Sequence, residues 1–166
     1  MDSIVQWFTA NLGPYVSKET LIFIISLFPI LELRGGLLAA SLLKVNYMTA
    51  LPLCIFGNIL PIPFILLFIR KIFGWMKKSR VLRPLVEKLE NRAMGRSDQI
   101  QKYEFLGLLL FVGIPLPGTG AWTGALIASL MQIDIKKSSV AILAGIALAA
   151  VIMSIVSYGV LGNLLH

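Results

Sequence analysis

The 24 residues from Thr20 to Leu43 constrain this chain more than any others, because they are almost wholly apolar yet carry Glu32 and Arg34 at their centre. A single helix of that length would cross a hydrocarbon core of about 30 Å and hold both charges near its middle, where each costs about 2.5–3.5 kcal/mol on insertion scales. Two spanning helices need about 20 residues each and do not fit. Pro29 removes a backbone donor and Gly35-Gly36 weakens a helix, so a break is favoured between arms at 21–29 and 36–44. The segment is expected to enter and leave the membrane on one side, as a re-entrant helical hairpin.

The same pattern returns 88 positions later. Pro29–Leu42 (PILELRGGLLAASL) aligns without a gap on Pro117–Leu130 (PGTGAWTGALIASL), with six identities, and the offset also pairs Asn46 with Asp134 and Gly57 with Gly145. A duplicated membrane unit explains this most simply. The second break is Pro115-Leu-Pro117-Gly118-Thr119-Gly120, between arms at 105–114 and 121–133. Each hairpin precedes a long apolar stretch, 47–69 with Pro52, Pro61 and Pro63 and then 138–161, and each stretch is expected to span. One span between two hairpins makes them enter from opposite faces. The expected fold is all-α, an inverted repeat of re-entrant hairpin plus transmembrane helix.

A single membrane domain over 1–166 follows: an interfacial helix in 1–18, repeat one in 19–72, a linker in 73–102 and repeat two in 103–166. The linker places Val81, Leu82, Leu85, Val86 and Leu89 on one helical stripe, with Arg83 and Glu87 four apart on the polar side. Asn46 and Asp134 stand where N-caps of the spans belong. Ala141, Gly145 and Ala149 allow a close helix contact, within the monomer or across a homodimer.

Composition excludes soluble classes, since 57% of residues are hydrophobic and 14% charged. The net charge of +7 does not point to nucleic acid, because ten of the fifteen basic residues lie between Arg70 and Lys102 and two more are Lys136 and Lys137, all flanking apolar segments. By the positive-inside rule those regions are cytoplasmic and the turns at Lys18 and Lys44 face outward, in a multi-pass protein of a prokaryotic cytoplasmic membrane. The linker is expected to lie on anionic lipid. Cys54 is a lone apolar-segment cysteine, read as packing. No zinc spacing, phosphate loop or nucleophilic triad is present, so neither metal, cofactor nor enzymatic activity is expected.

The chemistry gathers at the breaks. Opposed hairpins bring their tips together, and each second arm starts there as a helix N-terminus whose free N–H groups attract an anion. Gly35, Gly36, Gly118 and Gly120 would let a ligand approach the backbone, with Thr119 beside them. Arg34 adds a planar fork for phosphate or carboxylate. Glu32 is its obvious partner and a candidate proton carrier, while Trp122, at the repeat position of Arg34, offers a ring for stacking. Pro29, Pro115 and Pro117 break the helices.

Pro29-Ile-Leu-Glu32-Leu-Arg34-Gly35-Gly36 and Gly113-Ile-Pro115-Leu-Pro117-Gly118-Thr119-Gly120-Ala121-Trp122 resemble the bacterial and archaeal small multidrug export protein family over nearly the whole chain. More distantly the chain is similar to the DedA/VTT superfamily, whose members have two re-entrant hairpins and include lipid scramblases and flippases of polyprenyl-phosphate carriers. That resemblance implies transport past Glu32 and Arg34. The leading expectation is a flippase of an anionic lipid with Glu32 carrying a coupling proton. The rivals are a proton-coupled exporter of hydrophobic cations and a non-transporting scaffold.

Overall fold

In the computed structural model the described residues are Trp7, Ala10, Asn11, 16–95, Ile100 and 104–160. The expected interfacial helix in 1–18 therefore falls largely outside them. Eight α-helices run along the described chain: α1 (Lys18–Leu27), α2 (Glu32–Leu42), α3 (Tyr47–Ile59), α4 (Ile62–Met76), α5 (Arg83–Met94), α6 (Glu104–Gly113), α7 (Ala121–Leu130) and α8 (Ile135–Ser154). A six-residue π-helical segment, Ile155–Val160, continues α8.

Local sequence sets the boundaries twice over. The Ser17 side chain accepts from Thr20 N and starts α1. Asn46 accepts from Met48 N at 2.8 Å and Asp134 from Lys137 N at 3.0 Å, so both are N-caps, at equivalent repeat positions. The second arms also end alike. Lys44 and Gln132 take left-handed φ values of 56° and 60°, and the next amides reach back to Ala40 O at 2.9 Å and Ala128 O at 3.0 Å. This is one C-terminal cap used at the same place in both halves.

Paired glycines then bring each long helix onto its own first arm. A Cβ on Gly57 would lie 2.8 Å from Phe23 O, and one on Gly145 would lie 2.8 Å from Leu109 O, so α3 and α8 approach α1 and α6 more closely than any side chain allows. Ala141, Gly145 and Ala149 are thus spent inside the monomer. The second arms cross over: α7 packs along α4, and α2 packs against α8 and its π-helical end. Tyr158 reaches Val45 O while Arg70 borders Ile133–Ile135, so the end of each long element meets the start of the other and the two run antiparallel. Lys18 donates to Leu43 O at one end, and Arg70 and Lys71 meet the α7–α8 corner at the other. The Lys18 corner and the Arg70–Lys71 corner thus lie at opposite ends of the bundle.

Two stretches, Tyr47–Met76 and Ile135–Gly159, are long and apolar enough to cross a membrane, with mean hydropathies of 2.2 and 2.6. Only 33% and 39% of their most apolar windows are buried within the protein. Phe64, Trp75, Val151 and Ile155 stand more than half exposed. A helix that is apolar all round but covered on one side needs lipid on the other.

Some expectations shift. The first span is broken at Leu60-Pro61 into α3 and α4, since Pro61 supplies no amide and starts α4 at a position where none is needed. The first hairpin breaks at 28–31, not at the glycines, so the arms expected at 21–29 and 36–44 are displaced toward the N-terminus. The linker helix starts at Arg83, after Val81 and Leu82, and packs Val86 and Ala93 inward with α7 as a neighbour. Leu85 and Leu89 remain exposed, and Arg83 and Glu87 pair at 2.7 Å as their spacing foretold.

Candidate functional site

Breaking a helix inside an apolar body leaves carbonyls at one stub and amides at the next without partners. In the second half these are the C-terminal end of α6 with the Pro115–Gly120 turn, and the N-terminal end of α7. Pro115 and Pro117 cannot donate to neighbouring carbonyls. The first half supplies what both stubs lack.

Arg34, only 7% exposed, spreads its guanidinium over the α6 end. Nη1 donates to Leu116 O at 2.8 Å, and Nη2 lies 3.2 Å from Val112 O, 3.1 Å from Ile114 O and 3.1 Å from Thr119 Oγ1. The Thr119 hydroxyl is 3.0 Å from Ile114 O and 2.9 Å from Leu116 O, so it donates to a turn carbonyl while accepting from the arginine. Glu32, 5% exposed, does the converse at α7. Its Oε2 accepts from Ala121 N at 2.9 Å and its Oε1 from Trp122 N at 3.1 Å. A cation thus sits on the negative end of one helix stub and an anion on the positive end of the other. Charge-assisted bonds of this kind contribute about 1.5–3 kcal/mol each and offset part of the cost of burying the two groups.

This corrects the expected partnership. Among the described residues no ion pair joins Glu32 to Arg34; the pairs are Lys77–Glu90, Arg83–Glu87 and Lys137–Glu104. Two residues apart on the chain, the two side chains diverge to opposite stubs of the other hairpin. Sequence gave no sign of this, because the partners are backbone atoms that no residue code displays.

The exchange is reciprocal. Trp122, at the repeat position of Arg34, donates its indole Nε1–H to Leu27 O at 3.2 Å, closing the end of α1 as Arg34 closes the end of α6. Glu32 and Gly120 are also equivalent, and both have positive φ, 51° and 136°. A Cβ on Gly120 would overlap the Glu32 carboxylate, so glycine here is what admits the acid to the α7 terminus.

Gly35 and Gly36 lie inside α2 and face α1, where a Cβ on Gly36 would strike Ser26 and approach Cys54 Sγ to 2.9 Å. Their role in this conformation is helix contact, with no backbone opened to a ligand. Gly118, at φ 77°, shapes the turn. Pro29 is exposed at the first break. One face of Trp122 borders an apolar cavity of about 440 Å³, lined with Leu27 and, across the α3–α4 break, Leu60, Pro61, Phe64 and Ile65.

A lipid-facing helical body with two buried, oppositely charged groups bridging broken helices is that of a membrane protein. The family described as "Putative small multi-drug export protein" matches residues 32–152, from Glu32 itself to near the end of α8, and the chain belongs to that family. No curated protein and no solved structure shows a match.

Proposed function

We propose that the protein is a proton-coupled exporter of hydrophobic compounds, cations foremost, in a prokaryotic cytoplasmic membrane. The observation that carries this reading is a chain of contact: the Glu32 carboxylate holds the Trp122 amide, and the Trp122 ring walls the apolar cavity. Both carboxylate oxygens are engaged as acceptors, so a proton on either one replaces an acceptor with a donor facing an N–H. Protonation frees the α7 terminus and with it the cavity wall. Substrate in the cavity and a proton on Glu32 then compete for the position of one helix end. The antiparallel long elements and crossed second arms support an inverted repeat with re-entrant hairpins, and the clustering of basic ends supports a cytoplasmic 73–102 linker.

One observation favours a second reading, translocation of an anionic lipid such as a polyprenyl-phosphate carrier. Arg34 bonds carbonyls and a hydroxyl, with no carboxylate in contact, and a phosphate would supply an anion there. That reading requires the guanidinium to exchange four protein acceptors for phosphate oxygens, and the α7 terminus to give up Glu32.

Proteoliposomes separate the two. Ethidium flux driven by an imposed pH gradient, present in wild type and absent in Glu32→Gln, supports the exporter. Movement of a fluorescent lipid phosphate without ethidium flux overturns it in favour of the second reading.

A further inference from the structure

The repeat offset extends further than the motifs that reveal it. Arg70, near the end of α4, is the counterpart of Tyr158 in the π-helical end of α8. In the first half the corner between second arm and span is filled by that tyrosine. Its hydroxyl donates to Val45 O at 3.0 Å, its ring meets Tyr47 edge-on at 5.2 Å, and Ser41 Oγ donates to Ser157 O at 2.6 Å. The equivalent corner of the second half, at Ser129, Ile133 and Ile135, receives Arg70 and is not filled. A cavity of about 580 Å³ remains there, bordered by Arg70, Lys71, Ser129, Gln132 and Asp134 on its polar side.

The lining specifies a ligand. Two cations face one carboxylate, and Asp134 already spends an oxygen on capping α8 through Lys137 N at 3.0 Å, so the site has an excess of positive charge. Ser129 and Gln132 add hydrogen-bonding groups. The rest of the wall is Leu66, Leu67, Ile133 and Ile135, of which Leu67 and Ile135 are exposed to the surroundings of the helices. A polar, cationic floor at a helix end with an apolar wall opening outward matches a phosphate with an acyl chain attached.

We propose that the cleft between α4 and the α7–α8 corner is a binding site for the phosphate headgroup of a membrane lipid, held by Arg70 and Lys71 with its chain along Leu67 and Ile135. The site lies on the linker side of the bundle, apart from Glu32 and Arg34, and does not depend on which compound is exported.

The test is native mass spectrometry of the full chain in detergent, titrated with dioctanoyl phosphatidic acid, dioctanoyl phosphatidylcholine and inorganic phosphate. Phosphatidic acid should bind best, and Arg70→Gln with Lys71→Gln should weaken it about ten- to thirtyfold, at about 1 kcal/mol per basic residue. Lys78→Gln with Arg80→Gln removes equal charge outside the cleft and should leave binding within about twofold, since neither lines the cleft and salt screens exposed charges at a distance. Arg70→Tyr copies the filled corner of the first half, so it should abolish binding while keeping or raising the melting temperature. Equal loss in the Lys78 and Arg80 variant, or retained binding in Arg70→Tyr, overturns the site. Inorganic phosphate binding as tightly as the lipid, or phosphatidylcholine matching phosphatidic acid, overturns the lipid phosphate as its ligand.

Discussion

Glu32 and Gly120 occupy the same position in the two halves of the chain, and they touch. The missing Cβ of Gly120 is what lets the Glu32 carboxylate reach the amides of Ala121 and Trp122. The halves differ in chemistry here, an acid against a residue that makes room for it.

Gly120→Ala should therefore be among the most damaging single-methyl changes in the chain. The added Cβ strikes the Glu32 carboxylate, and φ of 136° strains any side chain. A loss of about 2–4 kcal/mol is expected, from backbone strain and an acid displaced from its donors. Gly74→Ala is the contrast, since its Cβ meets nothing within 4 Å, and should stabilise by about 0.5–1 kcal/mol. Thermal melts of the two variants beside wild type read both.

Arg34→Lys keeps the charge but cannot span four acceptors, and should cost about 2–4 kcal/mol as carbonyls at the α6 end lose donors. Thr119→Val alone should cost about 1–2 kcal/mol. Because the hydroxyl and the guanidinium share Ile114 O and Leu116 O, the double variant should lose less than the sum of the singles. A double-mutant cycle that closes additively would show that the two do not share that network.

Transport should depend on Glu32 in a way that separates proton coupling from shape. Glu32→Gln preserves volume yet cannot change charge, so efflux of ethidium should lose its response to an imposed pH gradient. Glu32→Asp should retain the response at reduced rate, since the shorter acid reaches the α7 amides less well. A pH response that persists in Glu32→Gln would place the coupling proton elsewhere.

The duplicated glycines should behave as pairs. Gly57→Ala and Gly145→Ala each push a long helix off a first-arm carbonyl that a Cβ would approach to 2.8 Å. Each should destabilise by about 1–3 kcal/mol, the range for overpacking a close contact. Matching melting-temperature losses in the two variants are the expected result.

Much of this arrangement is written locally. The repeat, the breaks at Pro29 and Pro115–Gly120, and the caps at Asn46 and Asp134 could be read directly, because prolines, glycines and capping side chains act on their own neighbours. Gly35-Gly36 reads as part of the break because a glycine that weakens a helix looks the same in sequence as one that lets two helices approach. The cross-hairpin partners of Glu32 and Arg34 stayed hidden because amides and carbonyls are common to every residue. The open corner at Arg70 was legible in principle. Its alignment with Tyr158 sets a cation against a ring at the same 88-residue offset.

The crossing of the second arms has a consequence for biogenesis. Arg34 finds its first acceptor, Val112, 78 residues further along the chain, and Glu32 its first donor, Ala121, after 89. At ribosomal speeds of about 5–20 residues per second, those partners are made about 4–18 seconds after Glu32 and Arg34 themselves. A chain cut in the linker should yield an unstable first fragment when made alone and recover when the second fragment is made beside it.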